Sequence, residues 1–145
     1  MDSVSEQRLN ILRQSIGKVI DSSPSNFMNW LAPILVQAEN GKLICQYSIR
    51  KEMTNPYQIL HGGVTAAIID DLIGATIFTM GLESRFTTVS NYIDYFAPAN
   101  EGDEVVAETT VIKKGRTIIN LQCEVYLPSK NRLIAKGYSN MLSIG

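Results

Sequence analysis

The residues with the clearest chemical potential lie in one stretch, in which His61-Gly62-Gly63 is followed by two adjacent carboxylates, Asp70 and Asp71. An aspartate has an ordinary pKa of about 3.9, so it is ionised at neutral pH and can act as a general base or nucleophile. Backbone N–H groups at the start of a helix are unsatisfied donors at the positive end of the helix dipole. Glycine leaves the approach to such an amide open, which suits Gly62 or Gly63 to a developing oxyanion.

A long helix must position these groups. The residues from Val64 to Met80 are apolar or small except for the two acids, and the run is too long for a strand. This predicts a helix over Gly62–Met80, with Gly81 as its stop because glycine tolerates the left-handed conformation. The helix is apolar nearly all round, so we expect it to be buried. The run has the length of a membrane span, but its two central acids and the strand-rich remainder favour a core helix.

The spacing along this helix has a consequence for the assembly. Gly62 and Asp70 are eight residues apart, which at 1.5 Å per residue separates them by about 12 Å along the helix axis. One reacting carbon cannot lie close to both groups. If both act on it, they must come from different subunits, with two central helices antiparallel across a two-fold axis. Asp70 and Asp71 lie on different stripes of the helix, and periodicity alone does not show which stripe faces the site.

The rest of the chain predicts one α+β domain over residues 1–145. Ser3 and Glu6 have the spacing of a capping box, and the apolar pattern after them predicts an amphipathic helix ending near residues 22–24. Residues 26–30 are expected to form a loop or short turn. Residues 34–39 and 42–50 form a predicted hairpin around Asn40-Gly41, followed by a loop over residues 51–60. Four strands over residues 86–96, 104–113, 116–127 and 133–143 are predicted to form an antiparallel meander that covers the central helix.

The composition limits the classes of function. The formal net charge is −1, so no overall basic field indicates nucleic-acid binding. With one histidine and two widely separated cysteines, Cys45 and Cys123, the sequence argues against a zinc site, and we expect no metal and no bound cofactor. Charges interrupt the first thirty residues, so no signal peptide is visible, and we expect a cytoplasmic protein with reduced thiols.

The order of elements and the residues at its centre resemble the hotdog fold, in which a sheet wraps around one central helix. Residues 55–75 resemble the acyl-CoA thioesterases of the phenylacetate-degradation (PaaI-like) group. In that group His-Gly-Gly enters the central helix and an Asp follows seven residues after the second glycine, which here is Asp70. The resemblance continues through residues 95–99, 114–116 and 133–137, and it covers the chain from about residue 30 to residue 143.

This resemblance implies a role for each site residue. Asp70 is the expected base or nucleophile, and its neighbour Asp71 departs from the group's pattern. The Gly62 amide is the expected oxyanion donor. Asn55 matches an Asn that precedes the His-Gly-Gly loop and is expected to hold the carbonyl or the water. Two further roles complete the site: His61 orients the loop and hydrogen-bonds near the sulfur, and Thr88 fixes the Asp or the water.

The resemblance also implies the substrate and the assembly. We expect an acyl-CoA to be hydrolysed to a free acid and coenzyme A. Gly63 is expected to contact this substrate, and Lys113, Lys114 and Arg116 either contact the coenzyme A phosphates or form a solvated turn. We expect a homodimer with shared sites, assembled as a dimer of dimers (a homotetramer), with no nucleic-acid or membrane partner. Two alternatives stay open: a non-catalytic acyl-CoA-binding hotdog protein, and a hotdog enoyl-CoA hydratase or dehydratase.

Overall fold

The computed structural model describes residues 3–145, which form three helices and one six-stranded antiparallel sheet. The helices are α1 (Val4–Arg13), α2 (Asn26–Leu31) and α3 (Gly62–Thr79). The strands are β1 (Ile34–Glu39), β2 (Lys42–Ser48), β3 (Phe86–Tyr95), β4 (Glu104–Lys114), β5 (Ile118–Leu127) and β6 (Arg132–Ser143). Two single 3-10 turns, Lys51–Met53 and Pro128–Lys130, complete the regular structure. The predicted α+β class is confirmed.

The strand order in the sheet is β1-β2-β4-β5-β6-β3, and every neighbouring pair is antiparallel. β4, β5 and β6 form a meander as predicted, but β3 does not lie beside β4. The prediction of one meander over all four strands is therefore wrong. In the sequence, α3 lies between β2 and β3, and it crosses one face of the sheet. β3 therefore joins the sheet at the far edge, next to β6, and β4 pairs with β2.

α3 packs one side against the sheet and leaves the other side open. Eight of its residues are buried, and they are Thr65, Ile68, Ile69, Leu72, Ile73, Thr76, Ile77 and Thr79. Gly63, Gly74 and Phe78 are exposed, so the expectation that the helix is buried all round is wrong for the single chain. Apart from the two acids and Phe78, this side carries mainly glycine and alanine, which make it apolar but offer little surface to bury. Within residues 3–145, α3 is the one helix long and apolar enough to cross a membrane, and here its buried side packs against the sheet.

The N-terminal third differs from the prediction in two places. α1 begins as expected with Ser3 as its N-cap, but it ends at Arg13 rather than near residues 22–24. Turns follow it, and Gly17 takes a φ of +83°, which ends the helical path. Residues 26–30, expected to form a loop or short turn, lie instead in α2, which runs over Asn26–Leu31. Its N-cap is Ser25, whose Oγ accepts a hydrogen bond from the Met28 N–H at 3.1 Å.

The end of α3 is held by α1. Gly81 has a φ of +66°, as expected for a glycine that stops a helix. A Cβ at this position would lie 2.5 Å from the backbone nitrogen of Ser5, so the two segments are in direct contact. The Ser5 Oγ also donates to the carbonyl of Thr79 at 2.6 Å. α1 is thereby fixed beside the C-terminal half of α3.

Candidate active site

Asp70 lies midway along α3 and faces the edge strand β3. Its Oδ1 accepts hydrogen bonds from Thr88 Oγ1 and from Asn91 Nδ2, both at 2.9 Å. Its Oδ2 has no hydrogen-bond partner within residues 3–145. Two donors on one oxygen fix the orientation of the carboxylate and leave the other oxygen free. The predicted contact between Thr88 and the acid is present, whereas Asn91 was not predicted.

A β-bulge explains how both donors reach the same oxygen. Successive residues of a strand point to opposite faces, so positions 88 and 91 would face opposite sides of a regular strand. In β3, Thr88 is opposite Met141 and Ser90 is opposite Asn140, which leaves Val89 as an extra residue. The extra residue restores Asn91 to the side of Thr88. Simple alternation along the sequence does not reveal such a bulge, and this is why Asn91 was missed.

Asp71 points towards α2 rather than β3. Its Oδ1 accepts a hydrogen bond from Ser25 Oγ at 2.9 Å, and its Oδ2 is buried with no partner among the described residues. Burial raises the pKa of the Asp71 carboxyl, the Ser25 hydrogen bond opposes this shift, and the charge of Asp70 adds to it. Since Ser25 is also the N-cap of α2, Asp71 connects α3 to the start of α2. The contacts give the two acids different surroundings.

Both acids line an apolar cavity of about 510 Å³, which we call the acyl cavity. Its walls come from α1, from α2 and the segment leading into it, from α3, and from strands β1, β2, β3 and β6. The apolar lining includes Leu12, Ile20, Met28, Phe78, Phe86 and Met141. A cavity of this volume lies in the range of small-molecule sites, and a mostly apolar wall with a few polar groups is typical of them.

The residues His61-Gly62-Gly63 form the start of α3. His61 is the N-cap, and its Nδ1 accepts a hydrogen bond from the Gly63 N–H at 2.8 Å. A neutral imidazole that accepts through Nδ1 carries its proton on Nε2. The Gly62 N–H has no partner within residues 3–145, while Tyr95 Oη donates to the Gly62 carbonyl at 2.7 Å. The two glycines are thus distinct: the Gly62 amide is available to a ligand and the Gly63 amide is occupied.

Asn55 shapes the loop before α3. Its Oδ1 accepts hydrogen bonds from the backbone N–H groups of Tyr57 at 2.9 Å and Ile59 at 3.4 Å. This is an Asx turn, in which the side chain replaces a backbone acceptor. The side-chain NH₂ is the part of Asn55 that these two bonds do not use. Its contact with a substrate carbonyl or water stays a prediction.

The basic residues Lys113, Lys114 and Arg116 are exposed at the turn between β4 and β5. Ile118, at the start of β5, is opposite Leu142, and Leu142 is opposite Thr87 in β3. The turn therefore lies at the end of the sheet where β3 begins, beside the C-terminal end of α3. It is at the opposite end of α3 from Gly62.

One chain holds two incomplete sites. Asp70, Thr88 and the acyl cavity form one group, and the amide of Gly62 with His61 forms the other. The two groups are separated by about 12 Å along α3 at 1.5 Å per residue. Among residues 3–145 no group of three or more His, Cys, Asp or Glu side chains is arranged to hold a metal ion.

An antiparallel sheet around one central helix, with a free amide at the helix start and an oriented carboxylate beside an apolar cavity, defines a hotdog protein equipped for acyl chemistry. The chain belongs to the thioesterase superfamily, whose family model matches residues 57–133. It is therefore classed as a thioester hydrolase, and the predicted family resemblance is confirmed.

Named relatives and solved structures support this membership. Acyl-coenzyme A thioesterase 13 of Homo sapiens is 31% identical over 129 residues, which cover 87% of this chain and 92% of that protein. The PaaI protein of E. coli has the same fold, with a TM-score of 0.81 and 16% identity over 98% of this chain and 94% of that one. A Streptococcus mutans protein solved with acetyl CoA has a TM-score of 0.73 and 22% identity over 78% of this chain and 89% of that one.

Proposed function

We propose that this protein is an acyl-CoA thioesterase that hydrolyses an acyl-CoA to a free acid and coenzyme A. The observation that carries the proposal is the Asp70 carboxylate, oriented by Thr88 and Asn91 and lining an apolar cavity of about 510 Å³. The similarity to human acyl-coenzyme A thioesterase 13 supports the substrate class. The cavity holds the acyl group, since its wall is mostly apolar and Asp70 stands beside it.

The chemistry follows from the two groups. Acting as a base, Asp70 takes a proton from water through its free Oδ2, and the water oxygen attacks the thioester carbonyl carbon. Acting as a nucleophile, the same oxygen attacks directly and water then cleaves the acyl-aspartate. In either route the Gly62 N–H stabilises the oxyanion, the C–S bond breaks, and the thiolate of coenzyme A takes up a proton.

The active unit is a homodimer with shared sites. The distance between Gly62 and Asp70 supports this, because one carbon can meet both only if they belong to two antiparallel α3 helices. β3 also offers an interface: it is an edge strand with unpaired backbone groups, and Val89, Tyr92 and Tyr95 on it are exposed. Two such strands can pair across a two-fold axis while the exposed sides of the two α3 helices meet.

A dimer of dimers extends this assembly. Ile118 and Tyr138 are exposed although their strand neighbours Ile119 and Ser139 are buried towards α3, so they lie on the outer face of the sheet. Exposed apolar residues on that face are typical of a surface that meets another dimer. Sedimentation velocity of the purified protein tests both levels, and a monomer at micromolar concentration would contradict the shared-site homodimer.

The basic turn of the partner subunit lies in the right direction to meet the coenzyme A phosphates. In the antiparallel dimer, the C-terminal half of each α3 extends past the N-terminal end of the partner's α3. Lys113, Lys114 and Arg116 lie at that end of the sheet and are exposed. Their positive charge complements a polyanionic ligand.

A panel of acyl-CoAs with aliphatic and aromatic acyl groups tests the proposed function, with free thiol release as the readout. Hydrolysis of at least one member, abolished by Asp70→Asn, supports it. Binding without turnover contradicts it and indicates a binding protein. Addition of water to an enoyl-CoA without thiol release contradicts it and indicates a hydratase.

We also propose a cytoplasmic location. Cys45 and Cys123 are both buried and free, and free thiols are typical of reducing compartments. Fractionation of cells that express the tagged protein tests this, and recovery outside the cytoplasmic fraction would contradict it.

A further inference from the structure

A second pocket, which we call the aromatic groove, lies at the start of α3. It has a volume of about 530 Å³ and is lined by Phe27, Trp30, Glu52, Thr54, His61, Gly63 and Val64. Phe27 and Trp30 belong to α2, and their ring centroids are 5.8 Å apart with the planes inclined at 49°. The two residues are 49% and 40% exposed, which is a large apolar surface for one short helix. An exposed apolar surface of this kind is typical of a binding site.

The wall of the groove is fixed from behind. The guanidinium carbon of Arg50 lies 5.1 Å from the centroid of the Trp30 ring, and Arg50 Nη2 donates to the Trp30 carbonyl at 2.5 Å. Arg50 Nε also pairs with Glu52 at 2.7 Å, so the positive charge is compensated. At its other end, α2 is capped by Ser25, whose hydroxyl donates a hydrogen bond to the Asp71 carboxylate. The Trp30 ring and the backbone of α2 are therefore held in place before any ligand arrives.

The position of α2 separates two compartments. Met28 lines the acyl cavity, whereas Phe27 and Trp30 line the aromatic groove. The groove also reaches Gly63 and His61, and so it adjoins the free amide of Gly62. In the shared site of the dimer, this amide meets Asp70 of the partner subunit with the acyl cavity beside it. The more enclosed apolar cavity suits the acyl group, and the groove, which opens to solvent, suits the thiol side of the substrate.

We propose that the aromatic groove binds the pantetheine arm of the acyl-CoA, with Phe27 and Trp30 packing against its dimethyl segment. The proposal rests on the proposed thioesterase function and assigns the thiol side of the same site. A pantetheine arm is uncharged and alternates two amide groups with apolar carbon. The groove offers matching groups: Thr54 Oγ1 donates to the Lys51 carbonyl at 2.6 Å and keeps lone pairs for an amide N–H. The Nε2–H of neutral His61 supplies a donor for an amide carbonyl.

Trp30 is the single tryptophan of the sequence, so tryptophan fluorescence, excited selectively over that of the six tyrosines, reports on this groove alone. The probes are an S-alkyl-CoA thioether, which cannot be hydrolysed, the same thioether of pantetheine without the nucleotide, and adenosine 3′,5′-bisphosphate. We expect both thioethers to change the Trp30 emission and to protect it from acrylamide quenching. The nucleotide alone should do neither. A pantetheine thioether that binds by calorimetry while Trp30 stays fully accessible to acrylamide overturns the proposal.

Kinetics of two variants supply an independent test. Trp30→Leu removes the ring and should raise KM for an acyl-CoA by about tenfold, the effect of losing one well-packed contact, with a smaller change in kcat. Tyr57→Leu is the matched control, since Tyr57 is an aromatic residue that is 83% exposed on the neighbouring loop and does not line the groove. Its KM should stay within about twofold, the size expected for a surface substitution.

The two hypotheses fail in different ways. If the wild type hydrolyses acyl-CoAs and Trp30→Leu behaves like Tyr57→Leu, the groove assignment is wrong and the thioesterase function stands. If the wild type neither hydrolyses acyl-CoAs nor binds the CoA thioether, the proposed function itself fails. A Trp30 that is shielded from acrylamide before any ligand is added would show that the groove is covered by a second subunit, and this also overturns the assignment.

Discussion

The free amide of Gly62 can be removed without removing a side chain. Gly62→Pro replaces the N–H by a ring carbon at the first position of α3, where proline is well tolerated. His61 before it has φ −65° and ψ 135°, the extended conformation that a residue preceding proline prefers. We therefore expect a folded protein. Because the loss of one oxyanion donor lowers turnover by about 100- to 1,000-fold, kcat for thiol release should fall by that factor.

Gly62→Ala is the matched control. It keeps the N–H, and its Cβ would lie 3.5 Å from the Tyr95 ring, which is an ordinary contact. Its kcat should therefore stay much closer to wild type than that of Gly62→Pro. Equal losses in the two variants, with circular dichroism and melting temperature unchanged, would show that the Gly62 amide is not an oxyanion donor.

Mixing this variant with Asp70→Asn measures how the site is divided. When equal amounts are unfolded and refolded together, half of the randomly paired dimers are mixed. Each mixed dimer then has one site with both defects and one with neither. About a quarter of wild-type activity should return by this symmetry counting, against about 1% or less for each variant alone.

The recovered activity distinguishes a site shared between two subunits from a site built within one chain. A site built within one chain would carry a defect in every subunit, and the refolded mixture would stay as inactive as its components. Mass spectrometry of the mixture, with one variant isotopically labelled, verifies that mixed dimers form. An inactive mixture that contains them would refute the shared site.

Three further results are expected. Asp70→Asn should lower kcat by at least about 100-fold, the scale of a lost acid/base group, and Asp71→Asn should lower it far less. The reverse order in folded variants would refute the assignment. KM for acyl-CoA should rise with salt and in Lys114→Ala or Arg116→Ala, with kcat little changed, whereas a KM indifferent to all three would contradict phosphate binding at the turn. The Asp71 pKa is raised in the folded state from 3.8, so its protonated form stabilises the fold at low pH and this contribution is lost as pH rises through the folded value. The free energy of unfolding of Asp71→Asn should thus exceed that of the wild type at neutral pH, and this gain should disappear below about pH 4. Urea denaturation that shows the same difference in free energy between the two proteins at both pH values would contradict this.

The sequence was most informative where the signal is local. Asn40-Gly41 marked the first hairpin, and Gly41 does take a φ of +78° between β1 and β2. Gly81 marked the end of α3, and the His61-Gly62-Gly63 pattern marked its start. Each of these depends on a backbone conformation or a cap that a few neighbouring residues determine. The contact between Asp70 and Thr88 followed from a family resemblance rather than from local chemistry.

Features that depend on distant contacts could not be predicted in the same way. The place of β3 at the edge of the sheet results from the path of α3 across it, which no local pattern encodes. α2 is held by its cap at Ser25 and by Arg50, twenty residues from Trp30 in the sequence. The exposed side of α3 reads as buried because its residues are small and apolar, and composition does not say whether the sheet or another molecule covers them.

The bulge at Val89 makes the length of β3 as important as its composition. A chain that lacked Val89 could pair as a regular strand, in which Thr and Asn are two positions apart and face the same side. Asp70 would then keep both donors. An inserted residue, or a strand of the present length paired without the bulge, would instead turn the two side chains to opposite faces and leave Asp70 with one donor. A comparison that counted every one-residue gap in this strand as the loss of the site would therefore be mistaken, because what matters is whether the length of the strand and its bulge change together.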